Sequence, residues 1–182
     1  CNENGFVINR FPSKLVYAVG EIFSINDVVA YYRYTNGYIN ENVNIINELI
    51  WETDPVGVID DDGKIKPEAS GHVTIRIYQH FNSIAPYVKE FQIYALNGSG
   101  GGATPPGEKR PVGIMVSSYP NKIDYFENEQ YNSDGLVVSL INNDGTLEPT
   151  TEYTIEQANK DLKPADNVIN IKYNNNDKKM GI

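Results

Sequence analysis

Four tyrosines crowd one short stretch of the chain: Tyr31, Tyr32, Tyr34 and Tyr38. An exposed phenol ring can stack on a sugar ring while its hydroxyl stays in water. Asn36 and Asn40 stand beside them as hydrogen-bonding neighbours. Successive side chains of a strand alternate between faces. Tyr32 and Tyr34 therefore share one face, and Tyr31 takes the other. The chemistry this group suggests is recognition, with a glycan as the ligand. The same composition also suits an ordinary sheet strand whose rings pack and whose hydroxyls stay wet.

The other chemically eligible residues point away from catalysis and metal binding. Asp60-Asp61-Asp62-Gly63 places three carboxylates in a row. Calcium needs several oxygens converging from spaced positions. Adjacent acids without a closing glutamate lack that spacing and read as a solvated tight turn, with Asp54 the nearest further carboxylate. His72 and His80 have the same strand parity, but eight residues of strand separate them by roughly 27 Å. One ion cannot bridge them, and a structural or surface role is expected for both. Trp51, the single tryptophan, is expected in the core first and as a ligand platform second. There is no phosphate loop and no nucleophile motif. Carboxylate pairs are too common in an acidic chain to mark an acid–base site. The expectation is a non-enzymatic protein with no cofactor, no metal site and no catalytic residue.

The elements that carry these residues are organised by an internal repeat. Phe11 to Gly37 and Tyr119 to Gly145 align without a gap at one offset, 120 − 12 = 108. Pro12 matches Pro120, Lys14 matches Lys122, Tyr17 matches Tyr125, Glu21 matches Glu129, Val29 matches Val137 and Gly37 matches Gly145. An offset of about a hundred residues implies two copies of one domain. The predicted organisation is a tether over residues 1–5, a first domain over 6–96, a Gly/Pro-rich linker over 97–111 and a second domain over 112–182.

Within the first copy, strands are expected at Phe6 to Ile8, Leu15 to Tyr17 and Ile25 to Tyr34. A strand with irregular flanks is expected in 38–50. His72 to His80 alternates at period two, with Val73, Ile75 and Ile77 on one face and Thr74, Arg76 and Tyr78 on the other. Tyr87 to Leu96 closes the copy. In the second copy Gly113 to Ser117, Leu136 to Ile141, Glu152 to Ile155 and Val168 to Tyr173 are the expected strands. A turn at 174–177 and a short last strand from Met180 follow. Aligning Val168 with Val73 gives an offset of 95, so the first copy is expected to carry 108 − 95 = 13 extra residues around Trp51. Turn signals recur at intervals typical of a β-sandwich.

The formal charge is −9, from 15 basic and 24 acidic residues. Residues 1–95 and 112–182 each carry a net of −5, and no basic stripe is present. That excludes nucleic acid and charge-driven binding to an anionic membrane. With a single cysteine, Cys1, no disulfide can close within the chain, so packing alone must hold it. No apolar run is long enough to span a bilayer.

Cys1 followed by a polar stretch resembles the start of a mature bacterial lipoprotein. That resemblance implies lipidation at Cys1 and an extracytoplasmic, surface or outer-membrane location, with the membrane met only through the anchor. The repeat itself resembles bacterial immunoglobulin-like domains of surface proteins. The pattern is carried by Pro120, Lys122, Tyr125, Glu129, Leu136-Val137-Val138, Asp144-Gly145 and Val168-Ile169-Asn170-Ile171-Lys172-Tyr173. The first copy shares the opening. Its Trp51, Val58-Ile59-Asp60, Gly63-Lys64-Ile65 and Gly71-His72-Val73-Thr74-Ile75 are similar to the modules of intimin- and invasin-type adhesins. The resemblance implies an all-β chain of two tandem immunoglobulin-like β-sandwiches, monomeric, acting as a cell-surface adhesion, interaction or stalk module toward a protein or glycan partner. The alternative is a carbohydrate-binding lipoprotein of a polysaccharide-uptake system, with Tyr31, Tyr32, Tyr34 and Tyr38 as its ligand-binding residues.

Overall fold

A computed structural model of the chain describes residues 3–79, 87–96, 108–123, 125, 127–163 and 169–173. Cys1, His80, the Ser83–Pro86 turn, residues 97–107 of the expected linker, Val168, the 174–177 turn and the strand from Met180 lie outside the described residues. The chain divides into two compact units, Cys1–Gly102 and Ala103–Ile182. The described residues are all-β and sandwich-like, with several sheets and no barrel.

In the first unit, β1 (Glu3–Arg10) pairs antiparallel with β3 (Val29–Tyr34). A four-stranded sheet runs in the order β2 (Val16–Ala18), β6 (Tyr87–Leu96), β5 (Gly71–Gln79) and β4 (Ile50–Asp54). β2 joins β6 in parallel, and the other pairs are antiparallel. The period-two pattern of β5 dictates its two faces. Val73, Ile75 and Ile77 are buried beside Phe91 and Ile93 of β6, while Phe6, Ile8 and Ala30 are buried on β1 and β3.

Two segments depart from expectation, for local reasons. The strand over Ile25 to Tyr34 starts late. Ser24 caps a single 3-10 turn, Ile25–Asp27, by accepting from the Asn26 amide at 3.3 Å, and this turn buries nothing. Residues 38–50 do not form the expected strand before Ile50. Asn44 Oδ1 accepts from the amides of Ala30 at 3.0 Å and Ile46 at 3.2 Å, and Asn44 Nδ2 donates to the Val28 carbonyl at 3.3 Å. An asparagine side chain thus takes the place of a strand partner along β3. A second 3-10 turn, Ile46–Glu48, follows, and Ile45 and Ile46 are buried.

In the second unit, β7 (Pro111–Ser118), β8 (Val137–Asn142) and β9 (Leu147–Thr150) form one sheet. β10 (Tyr153–Ile155) pairs antiparallel with β11 (Ile171–Tyr173). Ile114, Val138 and Ile171 form a buried cluster, with Tyr153, Ile155, Ile169 and Tyr173 packed against it.

The register corrects the offset of 95. Ile171 is buried and Lys172 exposed. An odd offset sets Ile171 opposite Arg76, on the outer face, because a slip of one residue turns a strand over. Matching Ile171 to the buried Ile75 gives 171 − 75 = 96. The β4–β5 and β10–β11 pairings then place Tyr153 at the position of Trp51. The ion pairs agree: Arg76–Asp54 at 2.9 Å has its counterpart in Lys172–Glu156 at 3.5 Å. The first copy is therefore 108 − 96 = 12 residues longer at this point.

Candidate functional site

The residues shared by the two copies form the same clasp twice. Lys14 Nζ lies 2.8 Å from Glu21 Oε1, and Lys122 Nζ lies 2.9 Å from Glu129 Oε2. The Tyr17 hydroxyl donates to the Lys14 carbonyl at 3.0 Å, and the Tyr125 hydroxyl donates to that of Lys122 at 3.0 Å. Each ammonium also stands over its tyrosine ring, at 5.1 Å and 4.9 Å. The following turn places Gly20 at φ 85° and Asn128 at φ 67°, in the left-handed region that glycine and asparagine tolerate. Their amides donate to the carbonyls of Ile65 and Leu162, both at 2.8 Å. The repeat motif is thus consumed in bonds that fix each copy's own chain path.

Two shifts follow from this clasp. Hydrogen bonds from Lys14 and from the Ala18 amide hold the Glu21 carboxyl below its usual value. Burial, with the Asp27 and Glu21 charges adding to it, pushes the Tyr17 phenol up to about 12.

The four sequence-chosen tyrosines all sit on or beyond β3, but they do not form one platform. In the β1–β3 register Tyr32 lies opposite the buried Phe6, Ala30 opposite the buried Ile8, and Tyr31 opposite Val7. Tyr32 therefore leans toward the interior face, and its hydroxyl donates to Glu48 Oε2 at 2.8 Å. Tyr31 faces the other way. Tyr34 and Tyr38 make a ring pair with centroids 5.9 Å apart, tilted by 35°, and Tyr38 is 55% exposed. The Tyr34 amide donates to the Tyr38 carbonyl at 2.9 Å across the Asn36-Gly37 turn, so this pair is held by the hairpin itself. At the offset of 108 the second copy carries Ser139, Leu140, Asn142 and Thr146 at these positions, so the tyrosines belong to the first unit alone.

The remaining candidates settle into structural roles. Trp51 is half-buried and meets Phe23 edge-on at 5.6 Å, and Phe23 in turn packs against Tyr17 and Phe91. Asp60 Oδ1 accepts from the amides of Asp62 at 3.0 Å and Lys64 at 2.8 Å, closing the turn whose Gly63 has φ 82°. A Cβ on Gly63 meets the Phe23 carbonyl oxygen at 2.6 Å. Among the described residues no three His, Cys, Asp or Glu side chains converge as a metal site.

Of the outer face of β4–β5–β6, sequence reasoning weighed only Asp54 and His72, each as a metal ligand, although the alternation of β5 had already displayed half of it. Arg76 is centred there: its Nε donates to Glu90 at 2.6 Å, its Nη2 to Asp54 at 2.9 Å, and Glu52 lies 4.0 Å from Nη1. The Tyr78 hydroxyl bonds Glu52, which, as the largest cause, raises the phenol to about 12. His72 meets Tyr94 edge-on at 5.1 Å.

Compared with known proteins, the chain is similar to Pectate lyase L of Thermoclostridium stercorarium, at 26% identity over 149 residues. The match takes in 82% of this chain and 10% of that protein, so the chain spans about a tenth of the length of this relative. No family model matches the chain, and no solved structure matches it.

Proposed function

We propose that the chain is a non-enzymatic module of a bacterial cell-surface protein, two immunoglobulin-like sandwiches in tandem that serve as an adhesion, interaction or stalk element. The observation that carries this reading is the duplicated clasp. The residues that recur, Lys14, Tyr17 and Glu21 with Lys122, Tyr125 and Glu129, are bonded within their own copy and hold its chain path. The strand arrangement of the first unit supports the immunoglobulin-like part. Its β6–β5–β4 run resembles the three-stranded sheet of such domains, facing a sheet that holds the first and third strands. Surface location through a lipidated Cys1 belongs to the same proposal. An intact mass from the native cells with acyl chains on Cys1 supports it, and a bare Cys1 contradicts it.

The similarity to a pectate lyase favours a second reading, a carbohydrate-binding module. Only a tenth of that protein is matched, and the described strands pair antiparallel apart from β2 with β6. Stacked parallel coils of the β-helix kind are not what these residues form. Both features suit an accessory piece of a polysaccharide-degrading or polysaccharide-uptake protein better than its catalytic body. Incubating the full chain with polygalacturonate and following new reducing ends tests the shared core of both readings. No turnover is expected, and turnover abolished by a single substitution overturns them.

A further inference from the structure

Resting on the carbohydrate-binding reading, we propose that the outer face of β4–β5–β6 in the first unit is a binding face for an uncharged polysaccharide, with Tyr78 and Tyr94 as its aromatic contacts and the Arg76 cluster between them as its hydrogen-bonding centre.

Three rows cross β4, β5 and β6 in register, the third being Asp54, Thr74 and Gln92, and a fourth joins β5 and β6 alone. Ile50, Tyr78 and Val88 are directly opposite one another, and Ile50 and Val88 are 52% and 41% exposed. Glu52, Arg76 and Glu90 form the next outward row, and His72 lies opposite Tyr94 toward the far end. Tyr78 and His72 are six residues apart on one strand, which sets the two aromatic ends roughly 20 Å apart. A groupwise arrangement of this kind, apolar and aromatic ends flanking a polar middle, matches a sugar chain. Its C–H faces pack on rings and its hydroxyls both donate and accept.

The polar middle is held in place before any ligand arrives. Arg76 is fixed by Glu90 and Asp54, and Tyr78 is fixed by Glu52. Such preorganisation reduces the entropy lost on binding. The charge of this face chooses among polysaccharides. One guanidinium stands among three carboxylates, each about half exposed, in a chain of net charge −9. A polyanion such as polygalacturonate is repelled by that field, and an uncharged chain is not. This face therefore takes a neutral polymer, unlike the acidic one in the name of the similar lyase.

The test is titration of the full chain with soluble galactan and xyloglucan as neutral probes and polygalacturonate as the acidic one. The expected result is saturable binding of a neutral probe and none of polygalacturonate. Tyr78→Ala weakens it about tenfold or more, as for a central aromatic contact, and Val43→Ala, at an exposed position away from this face, leaves it unchanged. Ile50→Asp and Val88→Asp alter only exposed positions, so they serve if Tyr78→Ala fails to fold, and each is expected to abolish binding. Neutral binding that survives these three variants overturns the face and leaves the carbohydrate reading standing. Binding of polygalacturonate alone overturns the choice of ligand. Binding of no polysaccharide overturns the proposal and that reading together.

Discussion

The two units place the same residues in the same bonds, then diverge on the surfaces those bonds support. Both have the Lys–Glu clasp over a tyrosine, and both have the left-handed residue after it. In both, a glycine ends the next hairpin: Gly37 donates to the Tyr34 carbonyl at 2.8 Å, and Gly145 donates to that of Asn142 at 2.9 Å. Beyond that frame, β3 carries tyrosines where β8 carries Ser139, Leu140 and Asn142. Trp51 becomes Tyr153, and the Arg76 cluster shrinks to a Lys172–Glu156 pair. The lesson is that recurrence within a chain identifies scaffold. Residues of interest for binding are those the second copy does without.

The largest expected effect breaks the likeness of the two clasps. Tyr17 is 1% exposed, whereas Tyr125 is only half-buried. Tyr17→Ala is expected to cost about 3–5 kcal/mol, as for a large aromatic removed from a core. Tyr125→Ala is expected to cost about 1–2 kcal/mol, near the worth of the bond its hydroxyl donates to Lys122 and the one it accepts from the Asn132 amide at 3.0 Å. Denaturant unfolding of the two variants measures this, and equal losses contradict it.

Glycines come next. Gly63→Ala combines a positive φ with a 2.6 Å approach to the Phe23 carbonyl and is expected to cost about 1–3 kcal/mol. Gly37→Ala has open space around it and suffers only the backbone term, about 1 kcal/mol. Thermal melts of the pair read the difference, and a Gly37 variant as damaged as the Gly63 one refutes the argument.

Removing the clasp cation is a smaller perturbation. The Lys14 and Glu21 side chains are 50% and 43% exposed, and those of Lys122 and Glu129 45% and 35%. Solvent screens such pairs, so Lys14→Ala and Lys122→Ala should each cost about 0–1 kcal/mol. A larger loss in one unit alone means that its lysine does more than the shared geometry accounts for.

The smallest effect is a pH dependence present in both units. Glu21 is held below its usual value by Lys14 and the Ala18 amide, and Asp144 by the Thr146 hydroxyl and amide. A carboxyl whose folded pKa is depressed contributes stability above its unfolded value. That contribution disappears as pH falls through the lower folded value. Melting temperature should therefore fall on acidification below the ordinary carboxylate range, and Glu21→Gln and Asp144→Asn should each flatten that fall. An unchanged slope in either variant removes that carboxyl from the account. At the alkaline end the phenols of Tyr17 and Tyr131, raised to about 12 chiefly by burial, should ionise above the ordinary phenol range in an absorbance titration.

Much of this was legible before any coordinates, because alternation and repeat spacing are local signals. The all-β class, the inward face of β5 and the hairpin glycines could be read directly. The offset of 95 was one residue out because Val168-Ile169 is an unbroken apolar pair, which leaves strand parity open until Ile171 is seen buried. The 38–50 segment was misjudged because nothing in a sequence announces that Asn44 replaces a strand partner of Ala30. The tyrosine group was visible by composition, but its division among Glu48, the β1 face and the hairpin is a tertiary matter. The Arg76 cluster draws on three strands, so only their register reveals it.

The most direct test of the account is a two-dimensional NMR titration of the full chain with a neutral oligosaccharide. The account predicts shifts concentrated in Ile50–Asp54, Gly71–Gln79 and Tyr87–Leu96, with Pro111–Ser118, Val137–Asn142 and Ile171–Tyr173 silent. Shifts at corresponding positions of both units, or confined to the second, would contradict the claim that the copies share a scaffold and differ in their binding surface.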